Sequence, residues 1–145
     1  MSSLNQYLGQ SVAPQSQIIK ILVVDDHEQV RKTICDLLRQ EKSWQVICEA
    51  ADGQEGVLAS EKLQPDIVVL DISMPTLGGI EAAVRIRWAA PKTRIVFLSQ
   101  HNSKALMDAA LATGAHGYVT KSNAGIDLIR AIRAVLEGEK FVSQL

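Results

Sequence analysis

The sequence has few cysteines, nearly equal numbers of acidic and basic residues, and no long apolar run. Its 145 residues include only Cys35 and Cys48, whose separation fits no metal-binding spacing, so we interpret both as reduced thiols. The 15 basic and 16 acidic side chains give a net charge of -1, which provides no field favouring nucleic acid or an anionic membrane. No apolar run approaches the roughly 20 residues of a membrane helix, and the N-terminus lacks a secretory signal. We therefore expect a soluble, cytoplasmic protein without a membrane contact.

Composition divides the chain into three parts. Residues 2–17 are rich in Ser and Gln and carry no charge, so we predict a flexible leader over 1–17. Apolar segments and polar turns then alternate, which predicts one domain over 18–138. Residues 139–145 are predicted to be the start of a linker or a C-terminal tail.

Strand-like and helix-like segments alternate within the predicted domain. Short runs of β-branched and other apolar residues predict buried strands at 18–24, 44–49, 67–70, 94–99 and 116–120. Segments with helical spacing of apolar residues follow them, the last from about Asn123 to Glu137, with Gly138 as its C-terminal glycine. Five strand–helix units predict an α/β fold, a doubly wound five-stranded parallel sheet with helices on both faces.

Polar residues stand at the ends of four predicted strands: Asp25 and Asp26, Asp71, Ser99, and Lys121. The carboxyl ends of the strands meet at one edge of a doubly wound sheet, so these side chains should share a pocket. Two like charges roughly 4 Å apart repel by about 4 kcal/mol at an effective dielectric near 20, so three carboxylates need counter-charges. The lysine supplies one, and Mg²⁺ would supply the rest. A carboxylate nucleophile, a metal, a lysine and a hydroxyl are the components of a site that moves phosphoryl groups.

Four motifs resemble, in order and spacing, those of response-regulator receiver domains. They are VVDDH at 23–27, LDISMP at 70–75, LS at 98–99 and GYVTK at 117–121. The resemblance extends over 18–138 and implies the flavodoxin/CheY-like (βα)5 fold. It also implies a phosphorylation-switched domain of a two-component system, which receives its phosphoryl group from a sensor histidine kinase or a phosphotransfer protein.

The resemblance implies roles for individual acidic residues. Asp71 matches the phospho-acceptor. Asp26 and Asp71 match the carboxylates that bind Mg²⁺ directly, Asp25 acts through water, and the backbone carbonyl of Ser73 is a further ligand. Such a domain is not an enzyme toward other substrates, because it catalyses only its own phosphorylation and dephosphorylation.

The same resemblance implies roles for five further side chains. Ser99 matches the hydroxyl that bonds the phosphoryl group, and Lys121 matches the cation that pairs with it. Tyr118 matches the switch aromatic that moves inward when that hydroxyl moves. Ser73 and His101 match the variable positions that tune the lifetime of the phosphoryl group. Because Ser73 is small and neutral, it favours a lifetime of minutes or longer.

Several details resemble the NarL/FixJ (LuxR-type) branch of this family. They are DDH at 25–27, ADG at 51–53, KS at 121–122 and AIRAVLEG at 131–138. In that branch a DNA-binding helix-turn-helix follows the receiver. The resemblance therefore implies a transcriptional regulator that contacts DNA only through a domain not present in this chain. A homodimer is a further expected partner.

Three other functions compete with this interpretation. A phosphatase of the haloacid-dehalogenase type would carry a second Asp two residues after its nucleophile, where Ser73 follows Asp71 and His27 follows Asp25. A flavin-binding domain would need hydroxyl and glycine donors for the FMN phosphate, which Asp25 and Asp26 would repel. The remaining alternative is a stand-alone or pseudo-receiver that acts as a protein-interaction module. Pseudo-receivers usually lack an acceptor, a metal ligand or the lysine, and this sequence keeps all of them.

Each candidate residue also has an ordinary structural interpretation when it is taken alone. An Asp at a strand end commonly caps the next helix. Ser99 would be a turn residue, Lys121 a surface lysine and Tyr118 a half-buried packing residue. His27 and His101 stand near the rim of the predicted pocket, where histidines are more often solvated than catalytic. The functional interpretation therefore depends on the whole set.

Overall fold

The computed structural model of the protein describes residues 17–144, so the predicted leader lies outside the described residues except for its last position. Strands and helices alternate as predicted. The strands are β1 (Ile19–Val24), β2 (Trp44–Ala50), β3 (Ile67–Asp71), β4 (Arg94–Ser99), β5 (Gly117–Thr120) and β6 (Phe141–Val142). The helices are α1 (Glu28–Leu38), α2 (Gly53–Leu63), α3 (Gly79–Ala89), α4 (Lys104–Ala112) and α5 (Ala124–Leu136), the last preceded by a 3-10 turn at Lys121–Asn123. In this described part of the chain, no helix has the length and hydropathy needed to cross a bilayer.

The strands form one parallel sheet in the order β2-β1-β3-β4-β5-β6. β1 and β3 are neighbours in the sheet, and the chain leaves them toward opposite faces. α1 packs on one face through Ile34 and Leu38, whereas α3 packs on the other through Ala82 and Ile86. The two loops therefore diverge and leave a crevice at the carboxyl edge, the usual place for a site in an open α/β sheet. The predicted doubly wound parallel fold is confirmed.

Two hydrophobic cores, one on each face of the sheet, hold the helices in place. Successive side chains of a strand point to opposite faces, so Ile21 and Val23 belong to one core and Leu22 and Val24 to the other. All four are at most 1% exposed. Burial of an aliphatic side chain of this size contributes about 1.5–3 kcal/mol, which explains why the central strands are apolar on both faces.

A sixth strand departs from the predicted count of five. Phe141–Val142, which the sequence placed in the tail over 139–145, pairs in parallel with β5. The hydroxyl of Ser143 donates to Asp127 Oδ2 at 2.8 Å and accepts from the N–H of Thr120 at 3.3 Å, so this segment is bound to both α5 and β5. The prediction missed the strand because two residues show no periodicity and their pairing depends on residues distant in the sequence.

The reversal that leads to β6 begins at the glycine predicted to end the last helix. Gly138 has φ of +89°, in the left-handed region that glycine adopts without strain. Its N–H donates to the carbonyl of Val135 at 3.0 Å, and the N–H of Glu139 donates to the carbonyl of Ala134 at 2.9 Å. This pair of bonds is the Schellman motif, which satisfies the last carbonyls of α5.

Gly79 allows α3 to begin directly against the end of β3. Its N–H donates to the carbonyl of Ile72 at 2.8 Å. A methyl group on Gly79 would overlap the carbonyl of Asp71 and lie 2.7 Å from Ile72 Cα, so only a backbone shift could make room. Gly125, in the first turn of α5, has nothing within 4 Å of the same position.

We predict that Gly79→Ala lowers the free energy of unfolding by about 1–3 kcal/mol, the usual effect of overpacking. The matched control Gly125→Ala should raise it by up to about 1 kcal/mol, because alanine has the higher helix propensity. Urea titration followed by circular dichroism gives both values. Equal small effects at the two positions would contradict the close approach of α3 to β3.

Candidate functional site

Three carboxylates and one ammonium group meet in the crevice between β1 and β3. Asp25 and Asp26 follow β1, Asp71 ends β3, and Lys121 follows β5. Asp25 and Asp71 are 2% and 3% exposed, and Asp26 is partly buried. One ligand atom from each aspartate and one from His27 all lie within 4.8 Å of one another. The structure thus brings the predicted acidic residues and the predicted lysine together.

The strand register explains this arrangement. Val24 of β1 pairs with Leu70 of β3, so Asp25 and Asp71, each one residue further along, lie side by side. Across β4 and β5, the residue that precedes Lys121 pairs with the last residue of β4. These strands therefore end at the same edge of the sheet, where Asp25, Asp71 and Lys121 come together.

Lys121 offsets only part of the negative charge. Its Nζ lies 2.9 Å from Asp25 Oδ2 and 3.5 Å from Asp71 Oδ1, and its side chain is 16% exposed. Burial and the charge of Asp25 raise the pKa of Asp71 to about 6, against the lowering effect of Lys121. The site therefore holds an excess of negative charge in a place that water barely reaches.

Among residues 17–144, several carboxylate oxygens in the crevice have no hydrogen-bond donor. Asp71 Oδ2 and Asp26 Oδ1 are buried without a hydrogen-bond partner, and Asp25 Oδ2 has only its ion pair with Lys121, which is not aligned as a hydrogen bond. Buried polar atoms are normally satisfied, and leaving one unsatisfied costs about 1–3 kcal/mol. Convergent, unsatisfied oxygen donors fit a small divalent cation. The cluster is a candidate metal site.

A chain of hydrogen bonds links the other predicted residues. The N–H of His101 donates to Ser99 Oγ at 3.0 Å, and the carbonyl of His101 accepts from the Tyr118 hydroxyl at 3.2 Å. Ser73 Oγ lies 3.2 Å from His101 Nε2, and the N–H of Ser73 donates to Asp71 Oδ1 at 3.4 Å. The two residues predicted to tune phosphate lifetime therefore contact each other beside Asp71.

Tyr118 is completely buried, so its interpretation as a half-buried packing residue is wrong. Its ring belongs to the same core as Phe97 and Leu70, while its hydroxyl reaches the loop after β4. A buried phenol needs a hydrogen-bond partner, and the backbone supplies one. The sequence could not show this, because the partner is a carbonyl group that every residue carries.

Arg31 was not predicted at the site, and His27 was predicted only at its rim. Arg31 donates from Nη1 to the carbonyl of Asp25 at 2.7 Å and from Nε to Glu49 at 3.1 Å, which ties the loop after β1 to α1 and β2. His27 is 60% exposed, as expected at a rim, but its Nδ1 lies 3.1 Å from Asp26 Oδ1. The only sequence signal for Arg31 or His27 is its closeness to the Asp-Asp pair in the chain. A side chain that faces solvent would show the same closeness, so this signal could not identify them.

Comparison with known proteins gives the class. Residues 21–133 match the response regulator receiver domain family, and the chain belongs to this family. A two-component response regulator of the LuxR family from Aurantimonas sp. SI85-9A1 is 38% identical, with a TM-score of 0.82 over 86% of this chain and 89% of that chain. The isolated REC domain of RcsB from Salmonella enterica serovar Typhimurium is 28% identical, with a TM-score of 0.81 over 88% and 94%.

Relatives refine this assignment. The response regulator GacA of Pseudomonas syringae pv. syringae (strain B728a) is 34% identical over 126 residues, covering 87% of this chain and 59% of that protein. The response regulator UvrY of Escherichia coli (strain K12) is also 34% identical, covering 87% and 58%. The chain thus spans less than two thirds of the length of these relatives. Together with the LuxR-family structure they confirm the predicted NarL/FixJ branch.

The raised pKa of Asp71 predicts a stability change when its charge is removed. Its folded value, about 6, lies above the ordinary 3.8, so the folded state binds this proton more tightly than the unfolded chain. The ionised carboxylate therefore lowers stability above about pH 6, and the penalty is absent below about pH 4. In metal-free buffer near pH 7.5, Asp71→Asn should raise the free energy of unfolding by about 1–3 kcal/mol.

Urea titrations in a chelator across this pH range measure the effect. The advantage of Asp71→Asn should shrink as the pH falls from about 6 to about 4. Asp36→Asn is the control, because Asp36 is 80% exposed and surface substitutions change stability by only about 0.5 kcal/mol. A destabilised Asp71→Asn, or a gain independent of pH, would show that the site does not store unfavourable charge.

Proposed function

We propose that this domain is a switch set by a phosphoryl group carried on Asp71. The supporting observation is a buried carboxylate whose Oδ2 has no hydrogen-bond partner, standing beside Lys121 and two further carboxylates. That oxygen would attack phosphorus, forming an O–P bond while the P–N bond of a phosphohistidine donor breaks. The donor would be a sensor histidine kinase or a phosphotransfer protein.

Mg²⁺ is the proposed cofactor of this transfer. Asp26 and Asp71 would bind it directly, Asp25 through a water, and the carbonyl of Ser73 would complete the protein ligands. The buried, unpartnered Oδ1 of Asp26 fits this set. A bound cation supplies charge neutralisation at the oxygens of the transferring group. The N–H of Ser73 already donates to Asp71 Oδ1 at 3.4 Å, which orients the proposed acceptor.

Lys121 and Ser99 are the proposed partners of the phosphoryl oxygens. Lys121 already lies against the acceptor, so its ammonium can pair with the incoming charge. The buried hydroxyl of Ser99 accepts the N–H of His101, which leaves its own proton free for a phosphoryl oxygen. Tyr118 hydrogen-bonds the same histidine, so a movement at Ser99 can reach its ring. Tyr118 is therefore the proposed switch residue.

The output belongs to the whole protein and is proposed from relatives. RcsB has been solved in a complex with DNA, and DegU of Brevibacillus brevis is a transcriptional regulatory protein. The protein would thus be a cytoplasmic transcriptional regulator that contacts DNA through a helix-turn-helix outside this chain and pairs as a homodimer. The receiver would span 18–138, with β6 attached to its sheet. It would act on no substrate other than its own phosphoryl group.

Phosphorylation is tested with acetyl phosphate and Mg²⁺, followed by intact mass spectrometry. The wild type and the control Asp36→Asn should gain one phosphoryl mass, and Asp71→Asn should gain none. Asp26→Ala should react about tenfold more slowly or worse, because it lacks a direct metal ligand. Equal labelling of Asp71→Asn would show that Asp71 is not the phospho-acceptor. It would favour an interaction module that works without phosphorylation of Asp71. Unchanged labelling in the presence of a chelator would show that phosphorylation does not require the metal.

Ser73 and His101 are proposed to set the lifetime of the phosphoryl group. Water must attack in line, opposite the Asp71 oxygen, and the contact between Ser73 and His101 lies beside that residue. Serine has no carboxamide to orient water, so we predict a lifetime of minutes or longer and faster loss in Ser73→Asn. The measurement follows loss of phosphate at fixed Mg²⁺ in the wild type, Ser73→Asn and His101→Ala. If both variants stay within about twofold, a barrier change of only ~0.4 kcal/mol, neither residue controls the lifetime.

A further inference from the structure

His27 stands where the chain passes from β1 into α1, directly after the two aspartates of the site. It occupies the N-cap position of α1, but its side chain makes no capping hydrogen bond. Its ring turns back toward the carboxylates instead, with Nδ1 at 3.1 Å from Asp26 Oδ1 and 3.5 Å from Asp25 Oδ1. Helix capping therefore does not explain the orientation of this ring.

The short contact between His27 and Asp26 is not a hydrogen bond. Asp26 Oδ1 is buried and has no hydrogen-bond partner, so no N–H points at it even though Nδ1 is 3.1 Å away. The two atoms lie side by side. An independent observation comes from Asp71, which is 3% exposed, has an unpartnered Oδ2 and belongs to the same cluster of potential ligands. Asp26, His27 and Asp71 thus bring potential ligand atoms into one small region of the crevice.

The spacing of these donors matches the ligand shell of a single cation. Bonds of about 2.1 Å in octahedral geometry place neighbouring ligands about 3.0 Å apart and opposite ligands about 4.2 Å apart. The distance of 3.1 Å between His27 Nδ1 and Asp26 Oδ1 is close to the first value. All four donor atoms lie within 4.8 Å of one another, an upper bound slightly above the second value.

We propose that His27 is a nitrogen ligand of this metal site and makes it favour divalent transition cations over Mg²⁺. Mg²⁺ prefers oxygen ligands, whereas an imidazole strengthens binding of cations such as Co²⁺, Ni²⁺ and Zn²⁺. The inference rests on the proposed function, because it adds a ligand to the same site. Its consequence is that occupancy of the crevice depends on transition cations as well as on Mg²⁺.

Isothermal titration calorimetry on the full chain tests the selectivity. The Kd for Ni²⁺ should rise about tenfold or more in His27→Gln, in the range expected for a lost ligand contact, while the Kd for Mg²⁺ changes by less than about twofold. His116→Gln is the matched control, because it removes an imidazole that precedes β5 at the opposite edge of the sheet and lies outside the cluster. The control should keep the selectivity of the wild type.

Electron spin-echo spectroscopy of bound Mn²⁺ tests the ligation itself. The wild type and His116→Gln should show the nitrogen modulation of a coordinated imidazole, and His27→Gln should lose it although two of the three histidines remain. Bound Mn²⁺ without nitrogen modulation in the wild type, or equal Ni²⁺ selectivity in wild type and His27→Gln, overturns the proposal.

Labelling of Asp71 with acetyl phosphate and Mg²⁺ in His27→Gln separates this proposal from the proposed function. If Asp71 is still labelled but wild-type Mn²⁺ shows no nitrogen modulation, the His27 ligand is rejected and the proposed function stands. A wild type that binds neither Mn²⁺ nor Mg²⁺ rejects both the ligand and the metal site.

Discussion

The domain depends on the balance between three carboxylates and one ammonium group at the carboxyl edge of its sheet. Lys121 lies within ion-pair distance of Asp25 and Asp71, and it thereby joins the ends of β1, β3 and β5. The balance is incomplete, since burial and Asp25 hold the pKa of Asp71 near 6. Such a site favours the binding of cations. Under the proposed function, a phosphoryl group on Asp71 would add further negative charge, so a cation and the lysine would be needed most when the switch is set.

The two hydrophobic cores of the fold offset the unfavourable free energy of the buried charges. Leu70 precedes Asp71 in a strand that is buried throughout, and its neighbours on both faces fill the two cores. Each buried aliphatic side chain offsets about as much free energy as one unsatisfied oxygen costs. Gly79 brings α3 against the backbone of Asp71, which leaves little room for that residue to move. The unfavourable contacts are thus held in place by favourable ones elsewhere, which is common at functional sites.

The sequence was sufficient where a feature depends on contiguous residues. Apolar runs closed by Asp predicted β1 and β3, and the alternation with helices predicted the edge where Asp25, Asp71 and Lys121 meet. Features that depend on side-chain direction were beyond it. Nothing in the sequence separates a His27 that faces water from one that turns toward Asp26, because the two differ only in side-chain torsion angles. Likewise β6 consists of two residues whose pairing is decided by the structure of α5 and β5.

Under the proposed function, the backbone of His101 links the phosphoryl-binding hydroxyl of Ser99 to the core of the domain. Its N–H donates to Ser99 Oγ and its carbonyl accepts from the Tyr118 hydroxyl. His101 is therefore bonded both to a residue of the site and to a residue of the core. If the Ser99 hydroxyl turns toward a phosphoryl oxygen, the loop after β4 must follow it or lose the first bond. Either result changes the support of the buried Tyr118 ring. The carbonyl of Tyr118 accepts the N–H of Ser143 at 2.8 Å, so a shift of β5 also reaches the segment after α5. Coupling between phosphate and output then requires no long pathway, only two arrangements of one loop whose equilibrium the phosphoryl group biases.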